Sequence, residues 1–366
     1  MPLAKMESPG GAHMVIDRRQ IINFGGAPYL GLSDHPAIIA SGQDALRRYG
    51  STGQLPRHYD LASPANLDAE AAASDFFGVE AAMYFATGYF FGLIVLPALS
   101  DDYDVALLDE NAHYNLFEGA RAADREIVTF RHRDADDLAD HMERVVKAGK
   151  RPLVATDGMF ATYGTSPPLN RYRQLLDTHA GWLVIDESHS FGCIGPTGRG
   201  AYEAFGVQGD MTIFGGSMAK SFCAHGGMAM GSSEAIARCW KTPSARGAVS
   251  GTSAGAAMTA TSLKLVADSP DLLQKLRRNA DYMKMSLRHA GYDFESTDSP
   301  VAAFECGSAR YMAELQQHLW RDGIFVIYSN YVGAGPEGAI RIAAFSDHEF
   351  ADFDRLIDSL QRFEAT

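Results

Sequence analysis

Three residues near the middle of the chain have side chains suited to one kind of chemistry. Asp186 and His189 lie in LVIDESHSFGCIGPTGRG at 183–200, and Lys220 follows in GGSMAKSFCAHGG at 215–227. A pyridoxal phosphate enzyme needs a lysine that forms a Schiff base and an aspartate that keeps the ring nitrogen protonated. The two segments therefore predict pyridoxal 5'-phosphate as the cofactor, with Lys220, Asp186 and His189 as catalytic residues.

Lys220 and Asp186 each follow an apolar run that predicts a buried strand. Residues 182–185 lead into Asp186, and residues 211–214 end shortly before Ser217 and Lys220. Proteins of the α/β class place ligands at the carboxyl ends of such strands. Two neighbouring strands are therefore expected to present both side chains to one cofactor. A solvated lysine and an aspartate that caps a turn are the alternatives.

Further residues are suited to hold the phosphate and the ring of the cofactor. Ser217 is expected to bond the phosphate, and Gly88 and Tyr89 lie in a turn, TGYF, whose backbone N–H groups point at an anion where a helix opens. His113 is placed to stack on the pyridine. His189 is expected to contact the phenolic oxygen of the ring or an acyl carbonyl, although either histidine could instead bond a loop carbonyl.

Arg341 is a candidate substrate-binding residue. It lies in the strand-like segment AIRIAAF, where a buried arginine is costly unless an anion pairs with it. A substrate carboxylate, held at two points by the planar guanidinium, is one such anion. A structural salt bridge is the alternative.

Composition restricts the class of protein. The chain has 366 residues, of which 46% are hydrophobic, enough to bury a large core. A formal net charge of -13 argues against nucleic acid binding, which depends on lysine and arginine at phosphates. The four cysteines lack CxxC spacing, and the N-terminal segment has no apolar core of signal-peptide length. A cytoplasmic protein without a metal site is therefore expected.

Apolar runs alternate with helical stretches through the first two thirds of the chain. Strands are predicted at 81–85, 105–108, 127–130, 153–156, 183–186 and 211–214. This alternation predicts an α/β fold with a mostly parallel sheet covered on both faces. The apolar segment 83–99 is shorter than the roughly 20 residues of a membrane span, and is instead predicted to be a strand that turns into a buried helix.

The pattern changes after about residue 252. An alanine-rich helical stretch is followed by strand-like segments at 302–305, 324–328 and 339–343, and by a helix from Asp347. We therefore expect an N-terminal arm at 1–45, a large cofactor-binding domain at 46–252, and a small α+β domain with a linking helix at 253–366.

With these positions in place, the chain resembles the α-oxoamine synthases, from about Asn23 to Leu360. The most specific element is DESHSFGCIGPTGRG at 186–200, which is similar to the family pattern DEAHSxGxxGxxGRG. Other segments similar to the family occur in the expected order, namely YLGLSDHP, FFGVEAAMYFATGYFFG, TDGMFATYGTSPPL, SMAK, SGTS and IRIAAFSDHE. The resemblance implies a fold-type I pyridoxal phosphate transferase, similar to aspartate aminotransferase, that forms a homodimer.

The resemblance also implies roles for individual residues. Lys220 would carry the cofactor, Asp186 would face its ring nitrogen, His189 would contact the ring oxygen or the substrate, and His113 would stack on the ring. Gly88, Tyr89 and Ser217 would hold the phosphate. Thr252 would reach the phosphate in the neighbouring subunit, and Arg341 would bind the substrate carboxylate.

Several positions depart from the family pattern. Pro28 stands where the family has asparagine, Asn66 where it has histidine, and Ala219 where it has serine before the lysine. The segment GSTGQLPRHYDLAS at 50–63 replaces a glycine-rich GSR segment, and ATYG at 161–164 replaces SMDG. These changes affect the expected substrate and entry channel, so an unusual amino acid or acyl donor is expected.

The predicted reaction is a decarboxylating Claisen-type condensation. An amino acid and an acyl thioester, of coenzyme A or of a carrier protein, would give an α-amino ketone. Another fold-type I reaction, such as amino transfer or aldol cleavage of a β-hydroxy amino acid, would use the same lysine and aspartate. A non-catalytic binding protein that kept the fold is the third hypothesis.

Overall fold

The computed structural model describes residues 3–51, 57–248 and 250–365. The chain divides into two compact units. The terminal unit comprises Met1–Asp34, Phe160–Thr165 and Ser269–Thr366, and the sheet unit comprises His35–Met159 and Ser166–Asp268. The predicted domains at 1–45, 46–252 and 253–366 stay a prediction.

The described residues form thirteen strands. In chain order these are β1 His13–Ile16, β2 Arg19–Asn23, β3 Ala81–Phe85, β4 Val105–Asp109, β5 Glu126–Phe130, β6 Pro152–Asp157, β7 Trp182–Asp186, β8 Thr212–Ser217, β9 Gly227–Gly231, β10 Val301–Phe304, β11 Ile324–Phe325, β12 Ile327–Ser329 and β13 Ala339–Ala343.

The same residues form thirteen α-helices and one turn of 3-10 helix at Arg57–Tyr59. In chain order the α-helices are α1 Pro36–Tyr49, α2 Pro64–Phe77, α3 Phe90–Ala98, α4 Tyr114–Ala122, α5 Ala135–Lys147, α6 Leu169–Asp177, α7 Ala201–Ala204, α8 Ser233–Cys239, α9 Pro243–Arg246, α10 Ser253–Asp268, α11 Pro270–His289, α12 Ala309–Arg321 and α13 Phe350–Glu364.

The sheet unit is built on a seven-stranded sheet of order β3-β9-β8-β7-β6-β4-β5. Strands β8, β7, β6, β4 and β5 pair in parallel, whereas β9 is antiparallel to both of its neighbours. Every residue of β4, β6 and β7 is buried, as expected for strands covered on both faces. The predicted α/β fold with a mostly parallel sheet is confirmed.

The apolar segment that resembled a membrane span is divided between two elements. Its first residues belong to β3, and after a turn the remainder forms α3. No helix in the described part of the chain is both long and apolar enough to cross a membrane.

The terminal unit contains two three-stranded sheets, β1-β2-β11 and β10-β13-β12. Residues 324–328, predicted as one strand, are divided at Val326 into β11 and β12, which pair in different sheets. The hairpin of β1 and β2 was not predicted. Its turn is made by Asp17 and Arg18, with φ of 47° and 62°, where the usual asparagine-glycine signal of such turns is absent.

His348 lies in the core of the terminal unit and is 3% exposed. Its ring stacks on Phe24 and Phe345, with centroid distances of 4.5 and 4.9 Å. Nδ1 accepts the backbone N–H of Phe345 at 2.9 Å, and Nε2 donates to the carbonyl of Asn23 at 3.1 Å. Both nitrogens are thus used by the neutral ring, and burial lowers the pKa of His348 to about 3.

His348 should make the fold sensitive to acid. The pKa of His348 is lowered in the folded protein. Its contribution to the free energy of unfolding is therefore complete above the unfolded-state pKa of about 6.5, and is lost as the pH falls towards the pKa of the folded state. Between pH 7 and pH 5 this linkage amounts to about 2 kcal/mol. We expect His348→Gln, compared by urea unfolding at the two pH values, to lose that much less stability than the wild type. Equal losses would contradict the assignment.

Candidate active site

Three neighbouring strands end in polar residues at one edge of the large sheet. Strand β6 ends at Asp157, β7 at Asp186 and β8 at Ser217. The register places Asp157 opposite Asp186, and Asp186 opposite Gly215. Parallel strands present their carboxyl ends to the same edge, which is where open α/β sheets bind ligands.

The Asp186 carboxylate is buried and held by two N–H donors. Asp186 is 2% exposed. Oδ1 accepts the backbone N–H of Ser188 at 2.9 Å, and Oδ2 accepts Nδ2–H of Asn115 at 2.8 Å. These neutral donors compensate for the lost hydration of the carboxylate without cancelling its charge.

The backbone of β8 passes directly beside Asp186. A Cβ on Gly216 would lie 2.8 Å from Oδ1 of Asp186 and would overlap the hydroxyl of Ser188, and the φ of Gly216 is +146°. The Ser188 hydroxyl in turn accepts the backbone N–H of Ser217 at 2.8 Å. Only glycine at position 216 permits this approach, which links the segment that precedes Lys220 to the end of β7.

Lys220 is half-buried and follows β8 by three residues. Burial is the largest cause of the lowered pKa of His113 and of the raised pKa of Asp157, and the positive charge of Lys220 adds to the first shift and opposes the second. The structure therefore brings the lysine within electrostatic reach of both the histidine and the acidic edge of the sheet.

His113 immediately precedes α4 beside this edge. Its backbone N–H donates to Oδ2 of Asp157 at 2.8 Å, and its Nδ1 accepts the backbone N–H of Asn115 at 3.3 Å. The ring of Tyr89 meets it edge-on, with the centroids 5.8 Å apart. Burial is the main cause that lowers the pKa of His113. The imidazole of His113 is therefore neutral, which suits it to stacking on an aromatic ring.

Gly88 brings the start of α3 against Ser217. A Cβ on Gly88 would overlap the backbone of Ser217, and a Cβ on Gly227 would lie 2.6 Å from Cα of Gly88. Tyr89 follows, 40% exposed, immediately before α3 begins at Phe90. The predicted phosphate-binding residues Gly88, Tyr89 and Ser217 are therefore brought together at the start of α3. The amino-terminal end of a helix favours an anion.

The remaining predicted cofactor residues lie at element ends. His189 is half-buried in the turn after β7, and its carbonyl accepts the thiol of Cys193 at 3.0 Å. Thr252 immediately precedes α10, where its hydroxyl accepts the N–H of Gly255 at 3.0 Å.

Arg341 lies in β13 of the terminal unit and is 5% exposed. Its Nε donates to the carbonyl of Ala161 at 2.7 Å, Nη1 to the carbonyl of Gly26 at 2.9 Å, and Nη2 to the hydroxyl of Tyr29 at 2.8 Å. Within residues 3–51, 57–248 and 250–365 it forms no ion pair. Three of its five N–H groups are used, and its charge has no anionic partner there.

Two buried acids near the site were missed in the sequence. Asp157 accepts the His113 N–H, and burial, aided by the charge of Asp186, raises its pKa well above the ordinary value. Glu187 is fully buried, and burial raises its pKa to about 7. Its oxygens accept the N–H groups of Ala201 and Tyr202 at 2.8 and 2.7 Å, which holds the loop after β7. Asp157 lies beside Asp186 because of the register of β6 and β7, and the contacts of Glu187 depend on the path of the loop after β7.

Several of the departures from the family pattern lie in the described part of the chain. Residues 52–56 of the segment at 50–63 lie outside the described residues. Asn66 lies in α2 and donates to the carbonyl of Ser250 at 3.3 Å. In the terminal unit, the Thr162 hydroxyl donates to the carbonyl of Val332 at 2.9 Å, and the hydroxyl of Tyr163 donates to Glu305 at 3.0 Å.

Comparison with known proteins gives concordant matches over nearly the whole chain. The family described as aminotransferase class I and II matches residues 19–360. Serine palmitoyltransferase of Sphingobacterium spiritivorum is 28% identical over 360 residues, which cover 98% of this chain and 90% of that protein. Serine palmitoyltransferase of Caulobacter vibrioides is 34% identical over 298 residues, covering 79% of this chain and 72% of that protein.

Further similarity is found among synthases and solved structures. The 8-amino-7-oxononanoate synthase of Coprothermobacter proteolyticus is 26% identical over 360 residues, covering 97% of this chain and 91% of the synthase. The structure of serine palmitoyltransferase from S. paucimobilis with a bound PLP–myriocin aldimine superposes with a TM-score of 0.93 at 25% identity, covering 99% of this chain and 92% of the other.

Proposed function

The chain belongs to the aminotransferase class I and II family and, within it, to the α-oxoamine synthases, and on that premise we propose a pyridoxal-phosphate-dependent acyl transfer as its reaction. An amino acid loses carbon dioxide and is joined to the acyl group of a thioester, which gives an α-amino ketone and a free thiol. The predicted family, fold-type I architecture, acyltransferase class and cofactor are confirmed by this membership.

The observation that carries the proposal is the position of Asp186 relative to the segment that precedes Lys220. A buried carboxylate with two neutral donors stands at the end of β7, and Gly216 brings the adjoining strand against it. These residues fit pyridoxal phosphate, because a cationic pyridine ring pairs with a buried anion and its aldehyde condenses with an amine. When bound, the coenzyme supplies an electron-withdrawing ring that stabilises negative charge on Cα of the amino acid.

Each predicted residue then has a distinct task. Lys220 would carry the coenzyme and, as a free amine, would accept the proton from Cα of the amino acid. Asp186 holds the proton on the ring nitrogen, and His113 covers one ring face. His189 donates to the acyl oxygen of the thioester as negative charge develops there.

Gly88, Tyr89 and Ser217 are proposed to hold the phosphate. The close contact between Gly88 and Ser217 supports this, because it places a serine hydroxyl beside the start of α3. Helix amino-terminal ends and hydroxyls are common partners of phosphate oxygens.

Arg341 is proposed to bind the carboxylate of the amino acid. Its buried guanidinium without an anionic partner among the described residues supports this role, since such a charge is otherwise costly. Its remaining N–H groups suit the two oxygens of a carboxylate.

Arg341→Lys should weaken amino-acid binding. Lysine keeps the charge but loses the planar arrangement of donors, so we expect KM for the amino acid to rise about 10- to 100-fold, the equivalent of a charge-assisted hydrogen bond. Steady-state kinetics at saturating thioester measure this. Coenzyme affinity, which serves as the control, should not change. An unaltered KM would contradict the role of Arg341.

A homodimer with shared sites is proposed for the assembly. Tyr59, Leu61 and Leu67, which are close in sequence, are 58%, 58% and 46% exposed, and exposed apolar side chains that lie together favour an interface. This surface adjoins Thr252, because the hydroxyls of Ser63 and Ser253 lie 3.0 Å apart. Thr252 would then reach the phosphate held by the partner copy. Sedimentation should give the mass of two chains, and a single-chain mass at micromolar concentration would contradict this proposal.

The cytoplasm is the proposed location. The absence of disulfide-type cysteine spacing supports it, because reduced thiols are typical of that compartment.

The reaction is tested by supplying amino acids and acyl thioesters to the coenzyme-loaded protein. We expect thiol and carbon dioxide to be released in equal amounts, and only when both substrates are present. Amino transfer to an oxoacid, or aldehyde release from a β-hydroxy amino acid, without thiol would instead indicate one of the rival reactions. Coenzyme uptake without any of these products would indicate a binding protein.

A further inference from the structure

Asn115 is a buried polar residue that the proposed reaction does not use directly. It is 1% exposed and lies in the first turn of α4, two residues after His113. Its Nδ2 donates to Oδ2 of Asp186 at 2.8 Å. Its amide oxygen Oδ1 has no hydrogen-bond partner among the described residues. A buried acceptor without a partner costs stability, so packing alone does not explain an asparagine at this position.

The orientation of the amide is therefore determined by Asp186. If the amide were flipped, its oxygen would face the carboxylate, and two acceptors would oppose one another. The observed orientation instead gives the carboxylate one of its two donors, with the Ser188 N–H as the other. The same orientation that leaves Oδ1 of Asn115 without a partner among the described residues gives Asp186 a hydrogen-bond donor.

The backbone that carries Asn115 is held tightly. A Cβ on Gly92 would overlap the carbonyl of Asn115, and a Cβ on Gly119 would overlap the carbonyl of Gly92. Helices α3 and α4 thus pack backbone to backbone at this point. Such close packing leaves the Asn115 amide little freedom to move away from Asp186.

We infer that Asn115 is a positioning residue that aims the Asp186 carboxylate at the ring nitrogen of the coenzyme. This inference rests on the proposed function. Two donors leave the carboxylate oxygens in one orientation with a lone pair available for the pyridinium. Without Asn115, Oδ2 lacks a donor and the carboxylate is free to turn about its side-chain bond.

A second buried asparagine provides a matched control. Asn279, in α11 of the terminal unit, is fully buried and also has an unpartnered Oδ1. Its Nδ2 donates to backbone carbonyls, those of Phe345 at 2.9 Å and His348 at 2.8 Å. The two side chains are therefore chemically the same, but Asn279 donates to backbone carbonyls whereas Asn115 donates to the Asp186 carboxylate.

The test compares Asn115→Leu with Asn279→Leu in the full-length protein, using pyridoxal 5'-phosphate itself as the probe. For Asn115→Leu we expect the coenzyme dissociation constant to rise about 10- to 100-fold, the equivalent of a hydrogen bond to a charged group. The thermal midpoint of the coenzyme-free protein should fall less than that of Asn279→Leu, because the Asn115 side chain donates one hydrogen bond whereas that of Asn279 donates to several backbone carbonyls, and each variant also removes an unpartnered oxygen. For Asn279→Leu the midpoint should fall while the dissociation constant stays within twofold.

The pH dependence of the coenzyme's visible absorbance gives a readout that a purely structural role would not move. A loosely held carboxylate keeps the ring nitrogen less protonated, so the nitrogen bonded to the coenzyme at Lys220 becomes more basic. We expect the absorbance midpoint of Asn115→Leu to rise, by about one pH unit for a tenfold effect. The titratable groups near Asp186 at this edge are Lys220, Asp157, His113 and Glu187, and all are retained in the variant.

Two results would overturn the inference. One is a wild-type dissociation constant and absorbance midpoint in Asn115→Leu. The other is a loss of affinity that only parallels a loss of stability as large as that of Asn279→Leu. If Asn115→Leu does not fold, Asn115→Ala replaces it under the same criteria. Failure of the wild-type protein to take up the coenzyme would instead contradict the proposed function.

Discussion

Lys220→Ala should reduce product formation by at least about 10³-fold, because two tasks are lost together. The variant has no amine to hold the coenzyme covalently and no base near Cα of the amino acid, and general base catalysis alone contributes about 10²- to 10⁴-fold. Steady-state release of thiol measures the effect.

The phosphate and ring contacts proposed for Gly88, Ser217 and Asp186 do not involve the Lys220 side chain. Lys220→Ala should therefore still bind the coenzyme, but non-covalently, with the absorbance of the free aldehyde. Lys147→Ala is a suitable control, because Lys147 is an exposed lysine at the end of α5 that pairs with Glu143 and has no part in the proposed site. Turnover within tenfold of wild type in Lys220→Ala would contradict the proposed roles.

Asp186→Asn should reduce turnover by about 10²- to 10³-fold, because removal of one partner of a buried charge pair costs several kcal/mol. The structure makes this substitution informative. The new amide can keep the bond from Ser188, and Asn115 can turn its unpartnered oxygen towards the new N–H group. The fold should therefore be retained while the negative charge is lost.

Thermal unfolding of the coenzyme-free protein is the control for Asp186→Asn. A midpoint near that of the wild type, combined with the loss of turnover, would attribute the effect to the charge. Wild-type turnover would show that the carboxylate does not support the ring nitrogen.

The parts of the fold that follow from local sequence were predictable. Strands β4 to β8 each contain a short apolar run, and Asp186 ends β7 while Lys220 follows β8 by three residues. In contrast, β9 has only three residues between two glycines, too few for a clear apolar signal. The division between β11 and β12 at Val326 depends on pairing with different sheets, which no local pattern encodes.

The contacts around the predicted residues were less predictable than the residues themselves. Asn115 and Asp186 are distant in sequence and meet only because α4 begins beside the end of β7. The contact of Asp157 with His113 likewise requires β6 to lie between β4 and β7. Ser188 lies in the most specific motif, yet its link to Ser217 depends on the glycine at position 216.

The most direct test is to find which nitrogen binds the coenzyme. The coenzyme-loaded protein is reduced with borohydride, digested, and analysed by peptide mass spectrometry. We expect a phosphopyridoxyl group on the Lys220 side chain of SMAK, with no label after reduction of Lys220→Ala. A label on a different lysine, or none on a wild-type protein that has taken up the coenzyme, would contradict it.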